Sequence, residues 1–337
     1  MQTSDILRAW KHILVGQAPS LSIEITRECP LRCPGCYAYE PAHLNSDTGL
    51  RDLSDFRGEE LVRGVLEVVD RARPLHLSLV GGDPLVRYRE LEILLPQLME
   101  RGIHVQVVTS AFRAIPPEWK TWKYLTTAVS IDGLPAEHDV RRTPATYERI
   151  LKNIQGGRIT IHCTITGQIM HRPGYLNEFL KFWNPRPEIE RIWFSFFTPQ
   201  RGQFSPEVLS PEQRESAVRQ LFALRADYSK LDMPELLLRE FLHPPASPAD
   251  CIFARTTETI SADLKTRVTP CQFGGDPDCS QCGCIASMGL AAVGNYKLAG
   301  VLPVGFLFKA SAAIGERISG KTPASSQPRG PVLTVLR

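Results

Sequence analysis

Three cysteines lie close together in the stretch ECPLRCPGCYAYEP, at Cys29, Cys33 and Cys36. Structural zinc normally takes four protein ligands, and the nearest further candidate ligand is His43. An iron-sulfur cluster held by three thiolates would instead leave one iron open to bind another molecule. The spacing therefore predicts a reactive metal centre, with a zinc site and a redox-active group of thiols as the alternatives.

A second group of cysteines lies near the other end of the chain, at Cys251, Cys271, Cys279, Cys282 and Cys284. Two β-type runs around a polar turn in the stretch TETISADLKTRVTP predict a hairpin that would bring its flanking cysteines together. Five thiols can complete a four-ligand site and leave one spare. An iron-sulfur cluster, zinc and reduced structural cysteines are the alternatives here. Cys163 lies alone in an apolar strand and is expected to be a buried core thiol.

Strand-like segments alternate with helix-like segments in the part of the chain that must position these groups. The strands are predicted at 21–26, 75–80, 103–110, 126–132, 158–166 and 191–198. Each is rich in β-branched or aromatic residues and bounded by Gly, Pro or Asp. The alternation indicates a parallel sheet, either doubly wound or curved into a full or partial barrel. Such folds carry their chemistry at the carboxyl ends of the strands, and Cys29 directly follows the first strand.

The character of the chain changes after residue 230. We divide it into a barrel at 1–230, a Pro-rich linker at 231–250, a cysteine-rich region with an apolar segment at 251–320, and a flexible tail at 321–337. The apolar segment at 298–318 is interrupted by Lys309, Pro303 and several glycines, so a transmembrane helix is not indicated. We expect it to pack in the core or plug the barrel mouth, with contact to a membrane surface or a lipid as the alternative.

Composition limits the partners and the location of the protein. The chain has 337 residues, is 43% hydrophobic, and holds 39 Lys and Arg against 36 Asp and Glu without a block of like charge. Neither nucleic acid nor an anionic membrane is indicated by charge alone. No clean signal-peptide core occurs in the first twenty residues, and the odd total of nine cysteines argues against a disulfide framework. We therefore expect a cytoplasmic protein.

The Cys-x3-Cys-x2-Cys loop after the first strand of an alternating β/α chain resembles the radical S-adenosylmethionine (SAM) superfamily. The resemblance implies a partial (β/α)6 TIM-type barrel with a small cysteine-rich extension. It also implies a 4Fe-4S cluster on Cys29, Cys33 and Cys36 whose open iron binds SAM. A reductant such as flavodoxin or ferredoxin would supply the electron that cleaves SAM to a 5′-deoxyadenosyl radical, which abstracts hydrogen from a substrate.

Further segments resemble the SAM-binding motifs of this superfamily. The stretch Gly81, Gly82, Asp83 and Pro84 is similar to the family's Gly-Gly-Glu-Pro, whose backbone binds the SAM amino group, and Asp83 stands in place of the usual Glu. Thr109 and Ser110 end the third strand, and Ser130 and Asp132 end the fourth, where the family contacts the ribose and carboxylate of SAM. The resemblance also singles out His138, Asp139 and Arg142, and it suggests Tyr37 as the aromatic residue near adenine.

The second cysteine group resembles the auxiliary-cluster extensions of this superfamily, of the SPASM and shorter Twitch types. Because the full cysteine pattern is not present, the resemblance implies one additional 4Fe-4S cluster, which would relay electrons to or from a peptide or small-metabolite substrate. The stretch DPDCSQCGCIASMGLAAV is also similar to the adenosylhopane synthase family, so an adenosyl or carbon-carbon bond-forming enzyme acting on a lipid is an alternative. A third possibility is a non-catalytic iron-sulfur electron carrier or scaffold.

Overall fold

The computed structural model describes residues 3–144, 147–298 and 301–319. Its centre is a parallel sheet of seven strands in the order β6-β5-β4-β3-β2-β1-β7. The strands are β1 (Ser20–Glu24), β2 (His76–Val80), β3 (His104–Thr109), β4 (Leu125–Ser130), β5 (Ile159–Ile165), β6 (Ile189–Phe196) and β7 (Thr257–Ile260). The first six lie where the sequence predicts them. Because β6 and β7 are the two edges of the sheet, the strands form a partial barrel that is not closed, as expected.

The described residues form twelve helices, most of which cover one face of this sheet. They are α1 (Thr3–Leu14), α2 (Gly58–Ala72), α3 (Tyr88–Glu100), α4 (Pro135–Arg141), α5 (Tyr147–Asn153), α6 (Gly167–Met170), α7 (Tyr175–Trp183), α8 (Pro211–Leu224), α9 (Glu235–Glu240), α10 (Ile252–Thr256), α11 (Ile285–Gly294) and α12 (Val304–Ser319). Alternate strand residues such as Leu21, Ile23 and Leu77 are at most 1% exposed and belong to the same apolar core as the helices. Helix α8 begins directly after Ser210, whose hydroxyl caps it by accepting a hydrogen bond from the Gln213 backbone at 3.2 Å.

The seventh strand comes from the cysteine-rich region of the chain. In β7, Thr257 pairs in parallel register with Ser20 of β1, so the first arm of the predicted hairpin is part of the main sheet. The second arm returns through a single antiparallel bridge between Ile260 and Arg267, with a hydrogen bond from the Val268 backbone to Thr259 at 3.0 Å. The stretch therefore turns as predicted and also extends the sheet.

The segment expected as a linker packs against the rest of the protein. Leu231 forms a parallel bridge to Ile192 of β6, and the α9 region buries Leu238 and Phe241 completely. The Phe241 ring stacks on Phe196 at 4.4 Å between centroids. The division of the chain at 230 and 250 stays a prediction.

The apolar segment near the carboxyl end forms a two-stranded antiparallel pair, β8 (Lys297–Leu298) and β9 (Leu302–Pro303), followed by α12. One side of α12 packs on α1 and α10 in a small separate core of Ile6, Ile13, Ile252, Val304, Phe308 and Ala312. None of the described helices is long and apolar enough to cross a bilayer. The predicted flexible tail at 321–337 lies outside the described residues.

Candidate cluster and cofactor site

The first cysteine loop leaves the carboxyl end of β1. Cys29, Cys33 and Cys36 are all partly exposed, and the last of them directly precedes a 3-10 turn at Tyr37–Tyr39. Burial raises the pKa of the Cys29 thiol to about 12 and raises that of Cys36 as well. Thiols in this state favour the neutral form, so a bound metal would have to supply the charge that makes them thiolates.

The glycines of the GGDP stretch make room for the chain that leads into this loop. Gly81 has a φ of +116°, and a Cβ atom there would lie 2.7 Å from the carbonyl oxygen of Thr26. A Cβ at Gly82 would lie 2.0 Å from the carbonyl oxygen of Glu28, to which the Asp83 backbone donates a hydrogen bond at 2.9 Å. These two positions therefore require glycine because the protein's own first cysteine loop passes close to them, next to Cys29.

The structure brings Asp83 together with Thr109 and Ser110. The Asp83 carboxylate accepts hydrogen bonds from the Thr109 hydroxyl at 2.7 Å and from the Ser110 backbone and hydroxyl at 2.8 Å and 2.5 Å. A fourth donor is the Leu85 backbone at 3.0 Å, because Asp83 caps the 3-10 turn that begins at Pro84. Burial raises the pKa of the Asp83 carboxyl, and these four hydrogen bonds oppose that rise. The Thr109 and Ser110 hydroxyls thus fix the GGDP turn from within.

Asp132 anchors a second polar cluster at the end of β4. It is fully buried, and its carboxylate pairs with Arg141 and, at 2.6 Å, with Arg142, and also accepts the Thr164 backbone at 2.8 Å. Burial alone would raise the pKa of Asp132, but the two guanidinium groups hold it well below the usual range. Arg142 also lies close enough to Cys33 and Cys36 to interact with them electrostatically.

Three other predicted residues lie around this cluster. His138 is buried and its Nδ1 accepts the Asp132 backbone N–H at 3.1 Å, while Asp139 accepts the Tyr147 backbone at 3.2 Å. Ser130 is 6% exposed and is paired in register with His162 of β5. The contacts of His138 and Asp139 are thus made with neighbouring segments of the chain. Ser130, in contrast, faces the inner side of the sheet.

The inner face of the sheet, opposite the helices, includes Val80, Val108, Ala128 and Trp193 but carries mostly polar side chains. Along each strand these alternate with the core residues: Ser22 and Glu24 in β1, Ser78 in β2, Gln106 in β3, Thr126 and Ser130 in β4, Thr160, His162 and Thr164 in β5, Ser195 in β6, and Thr259 in β7. His162 Nε2 and the Ser195 hydroxyl lie 2.7 Å apart, and burial lowers the pKa of His162 to about 4. A neutral imidazole therefore faces the lumen of the partial barrel at physiological pH.

All five cysteines of the second group line one cavity. Its volume is about 380 Å³, part of it open to solvent, and its walls also include Thr198, Phe253, Phe273 and Ser287. Gln272 donates to the Cys284 sulfur at 3.2 Å, and Cys251 lies 3.1 Å from the Ser287 hydroxyl. In the described part of the chain, no three His, Cys, Asp or Glu side chains converge closely enough to hold a single metal ion. Five thiols that line one shared cavity are a donor set that fits a multi-iron cluster.

The second cysteine segment is tied to the first cysteine loop through His43. The His43 ring is fully buried, with Nε2 2.7 Å from a Glu24 oxygen and Nδ1 3.0 Å from the Phe273 carbonyl oxygen. The Ser261 hydroxyl donates to the other Glu24 oxygen at 2.5 Å. Burial lowers the pKa of His43, but the Glu24 carboxylate outweighs this effect and the pKa lies above the ordinary value of 6.5. We call Glu24, His43, Ser261 and Phe273 the buried joint.

Other contacts of the second segment involve Tyr37 and the end of β6. The Tyr37 ring meets the edge of Phe273 at 5.3 Å between centroids, so it faces the second segment. A hydrogen bond of 2.9 Å joins the Phe196 backbone to the Gly283 carbonyl, and the Thr198 hydroxyl accepts the Gly283 backbone at the same distance. Because β6 and β1 lie on opposite sides of the open barrel, the second segment bridges its mouth.

The sequence motifs did not identify several of these residues. Glu24, His162, Ser195 and Ser261 carry polar side chains at the inner face, and only His43 of the buried joint was noticed as a polar neighbour of the cysteines. The available signal was the strict alternation of polar and apolar residues in segments such as ITIHCTI and LSIEI. In a parallel sheet covered by helices on one face, that alternation marks a second face that is not packed by helices.

A comparison with protein families now identifies the class. Residues 23–175 match the model of the radical SAM superfamily, and this range contains the first cysteine loop, the GGDP stretch and Asp132. The chain therefore carries a radical SAM domain, the domain of a superfamily of enzymes, over somewhat less than half of its length. The family implies a 4Fe-4S cluster, SAM and a reductant.

Solved structures share the fold of this chain. Native anSMEcpe with bound AdoMet aligns with a TM-score of 0.54 at 16% identity over 75% of each chain. SuiB of Streptococcus suis bound to S-adenosylmethionine aligns with a TM-score of 0.53 at 17% identity over 77% of this chain and 62% of that one. SuiB bound to its precursor peptide SuiA gives 0.53 and 17%, over 94% and 70%. At these identities the likeness concerns the fold alone. No curated protein sequence matches the chain.

Proposed function

We propose that this protein is a radical SAM enzyme that removes a hydrogen atom from a peptide, with a second 4Fe-4S cluster that relays electrons. When bound, the first cluster and SAM supply a 5′-deoxyadenosyl radical for this step. Cys29, Cys33 and Cys36 would hold that cluster. A flavodoxin or ferredoxin would serve as the reductant, and the cytoplasm is the location we propose, because nine free cysteines suit a reducing compartment.

The remaining residues of the first site would bind and orient SAM. The backbone of Gly81, Gly82 and Asp83 lies beside Cys29, and the internal hydrogen bonds of Asp83, Thr109 and Ser110 keep that backbone in one conformation. Pro84 begins the following turn and Ser130 borders the lumen. Arg142, held by Asp132, would place a positive charge where the carboxylate of SAM can reach it.

The polar inner face is the observation that carries the substrate proposal. Serine and threonine side chains and His162 line much of the lumen, so a polar chain can form hydrogen bonds there that a hydrocarbon could not. SuiB, which shares the fold over most of this chain, was solved with a precursor peptide. We therefore favour a peptide over the lipid substrate of an adenosylhopane synthase-like enzyme and over a small metabolite.

The second cavity would hold the relay cluster. Cys251, Cys271, Cys279, Cys282 and Cys284 offer one thiol more than a fully ligated cluster needs, which favours electron transfer over direct binding of substrate. The buried joint and the contacts at β6 hold this cavity beside the barrel mouth. An electron removed from a substrate radical in the lumen would therefore have only a short way to travel.

The cysteine assignment is tested with anaerobically reconstituted protein and a chemical reductant. Cys29→Ala, Cys33→Ala and Cys36→Ala should each abolish formation of 5′-deoxyadenosine, whereas the buried Cys163→Ala should retain it. Wild type should contain roughly eight irons, and Cys282→Ala with Cys284→Ala, which leaves only three of the five thiols, roughly four. Persistent SAM cleavage in the first three variants would refute the first site, whereas a reconstituted wild type that neither binds nor cleaves SAM would favour a scaffold or carrier role. A wild-type count near four, with SAM cleavage intact, would refute the second cluster alone.

The substrate proposal is tested by uncoupled SAM cleavage. A polar peptide bound in the lumen should increase the rate of 5′-deoxyadenosine formation, so fractions of a peptide library and an isoprenoid-lipid extract are compared at equal mass. Stimulation by lipid fractions and not by peptides would contradict the proposal.

A further inference from the structure

The first and last described helices form a pair on the outside of the protein. Trp10 of α1 donates a hydrogen bond to Ser311 of α12 at 2.8 Å, and a Cβ at Gly315 would lie 2.3 Å from the Ile13 carbonyl oxygen. The two helices therefore run side by side in the same direction. We call α1 and α12 the terminal helix pair.

This pair exposes apolar side chains in a regular stripe. In α12, Phe306, Ala310, Ile314 and Ile318 are exposed and follow one another at intervals of four residues, which places them on one side of the helix. Phe306 is 67% exposed and Ile318 68%. The opposite side of α12 is already buried in the small core with α1. The helix thus has a second apolar side that nothing in the described part of the chain covers.

Exposed apolar residues are concentrated in this part of the molecule. Of the fourteen large hydrophobic side chains that are exposed among the described residues, seven lie in the terminal helix pair and the residues next to it: Leu7, Val15, Tyr296, Val301, Phe306, Ile314 and Ile318. Exposed apolar side chains that cluster in this way on a solvent-facing surface mark an interaction surface.

The charge of the same segments is positive, whereas the rest of the protein is acidic. Residues 3–16 and 296–319 hold five basic and two acidic residues, and 320–337 holds three basic and no acidic ones. That leaves 31 basic and 34 acidic residues between 17 and 295. Arg8, Lys11, Lys297 and Arg317 are exposed. A surface that is apolar and also carries negative charge would therefore attract the terminal helix pair. It would repel residues 17–295, whose net charge is negative.

We propose that the terminal helix pair docks on the surface of a membrane that contains anionic phospholipids. The exposed stripe would enter the boundary between headgroups and acyl chains, and the basic side chains would contact the headgroups. Helix α12 lies flat in this arrangement, in keeping with its broken apolar pattern. The inference is independent of the proposed substrate and of either cluster.

Co-sedimentation of the full reconstituted protein with lipid vesicles tests the inference. Binding is expected to phosphatidylcholine vesicles that contain phosphatidylglycerol, to weaken at high salt, and to be much weaker with phosphatidylcholine alone. Phe306→Ser with Ile314→Ser should weaken binding about tenfold or more, since burial of one large apolar side chain is worth roughly that factor. Arg8→Gln and Lys11→Gln should each weaken it about fivefold.

Phe204→Ser is the matched control, because Phe204 is fully exposed in the loop after β6, away from the terminal helix pair. It should bind vesicles like the wild type, and every variant should form 5′-deoxyadenosine at the wild-type rate. Failure of the wild type to bind anionic vesicles would overturn the inference. So would a wild-type dimer, seen by light scattering, that Phe306→Ser converts to a monomer, since the stripe would then be an interface between two copies.

Discussion

At the scale of single residues, Asp83 shows how a cofactor motif can be built from internal contacts. Its carboxylate accepts four hydrogen bonds, and all of the donors belong to the protein. The family resemblance drew attention to the side chain as a shortened Glu, yet the structure gives its oxygens a role in holding the GGDP turn.

Removal of this carboxylate should therefore destabilise the fold. Asp83→Ala leaves buried donors of Thr109, Ser110 and Leu85 without an acceptor and should lower the free energy of unfolding by roughly 3 kcal/mol or more. Asp83→Asn keeps one acceptor oxygen and should cost less. Urea unfolding followed by circular dichroism measures both, with the exposed Asp47→Ala as the control. An Asp83→Ala protein of normal stability that cannot cleave SAM would show that the carboxylate acts on the ligand instead.

His43 gives a prediction for pH. Its pKa is raised in the folded protein, so the buried joint contributes its full stability below pH 6.5 and loses it as the pH rises through the folded-state pKa. His43→Gln removes this titration. The difference in unfolding free energy between wild type and His43→Gln should therefore shrink toward alkaline pH. Urea titrations of both proteins at several pH values measure the difference, and a constant difference would contradict the charged form of His43.

At the scale of elements, the local sequence pattern was sufficient to predict the strands that alternate with helices. It was not sufficient to predict β7. Segments such as 103–110 and 158–166 carry β-branched runs between clear breakers, and the structure has strands there. Thr257–Ile260 carries the same kind of signal, but its partner is β1, far away in sequence. No local periodicity specifies which distant edge a short strand will join.

The same limit applied to the site. Cysteine spacing identified both groups, because thiols are rare and their chemistry is specific. The buried joint could not be foreseen, since it depends on Phe273 offering a backbone carbonyl to His43, and every residue has such a carbonyl. The helix-like stretch PEWKTWKYL forms only a 3-10 turn, at Pro117–Thr121.

Gly283 tests the connection between the second cysteine segment and β6. A Cβ atom there would lie 2.1 Å from the carbonyl oxygen of Phe196, so Gly283→Ala should push the segment off the strand end. We expect it to lower the iron content of the second site and leave SAM cleavage by the first site intact. Gly289→Ala is the matched control in α11, because its Cβ would meet only a Leu237 methyl at 3.8 Å. An unchanged iron content in Gly283→Ala would show that this contact does not support the second site.

At the scale of the whole molecule, the fold contains two parts that are stabilised in different ways. The sheet and its helices share a continuous apolar core. The segment at 269–284 contains a single short 3-10 turn at Cys279–Gln281 and is held mainly by side-chain and loop contacts. A segment of this kind gains much of its stability from the metal that it binds.

Iron removal should therefore act unevenly. After treatment with an anaerobic chelator, hydrogen exchange should accelerate at 269–284 and in the first cysteine loop, while β2 to β5 keep their protection. Hydrogen-exchange mass spectrometry of the holo and chelated protein measures this. Equal acceleration throughout the sheet would show that the clusters stabilise the whole fold.

The bridge across the barrel mouth also concerns the order of maturation. Phe273 covers Tyr37, directly after Cys36, only when the second segment has docked. We infer that iron reaches the first loop most easily while the second segment is still undocked, and that filling of the second cavity then fastens the segment over it. In a chelation time course the second site would accordingly lose its iron first. The mouth would thus close only after both sites had received their iron. A chain with iron at one site would keep its mouth open to the iron that the other site still needs.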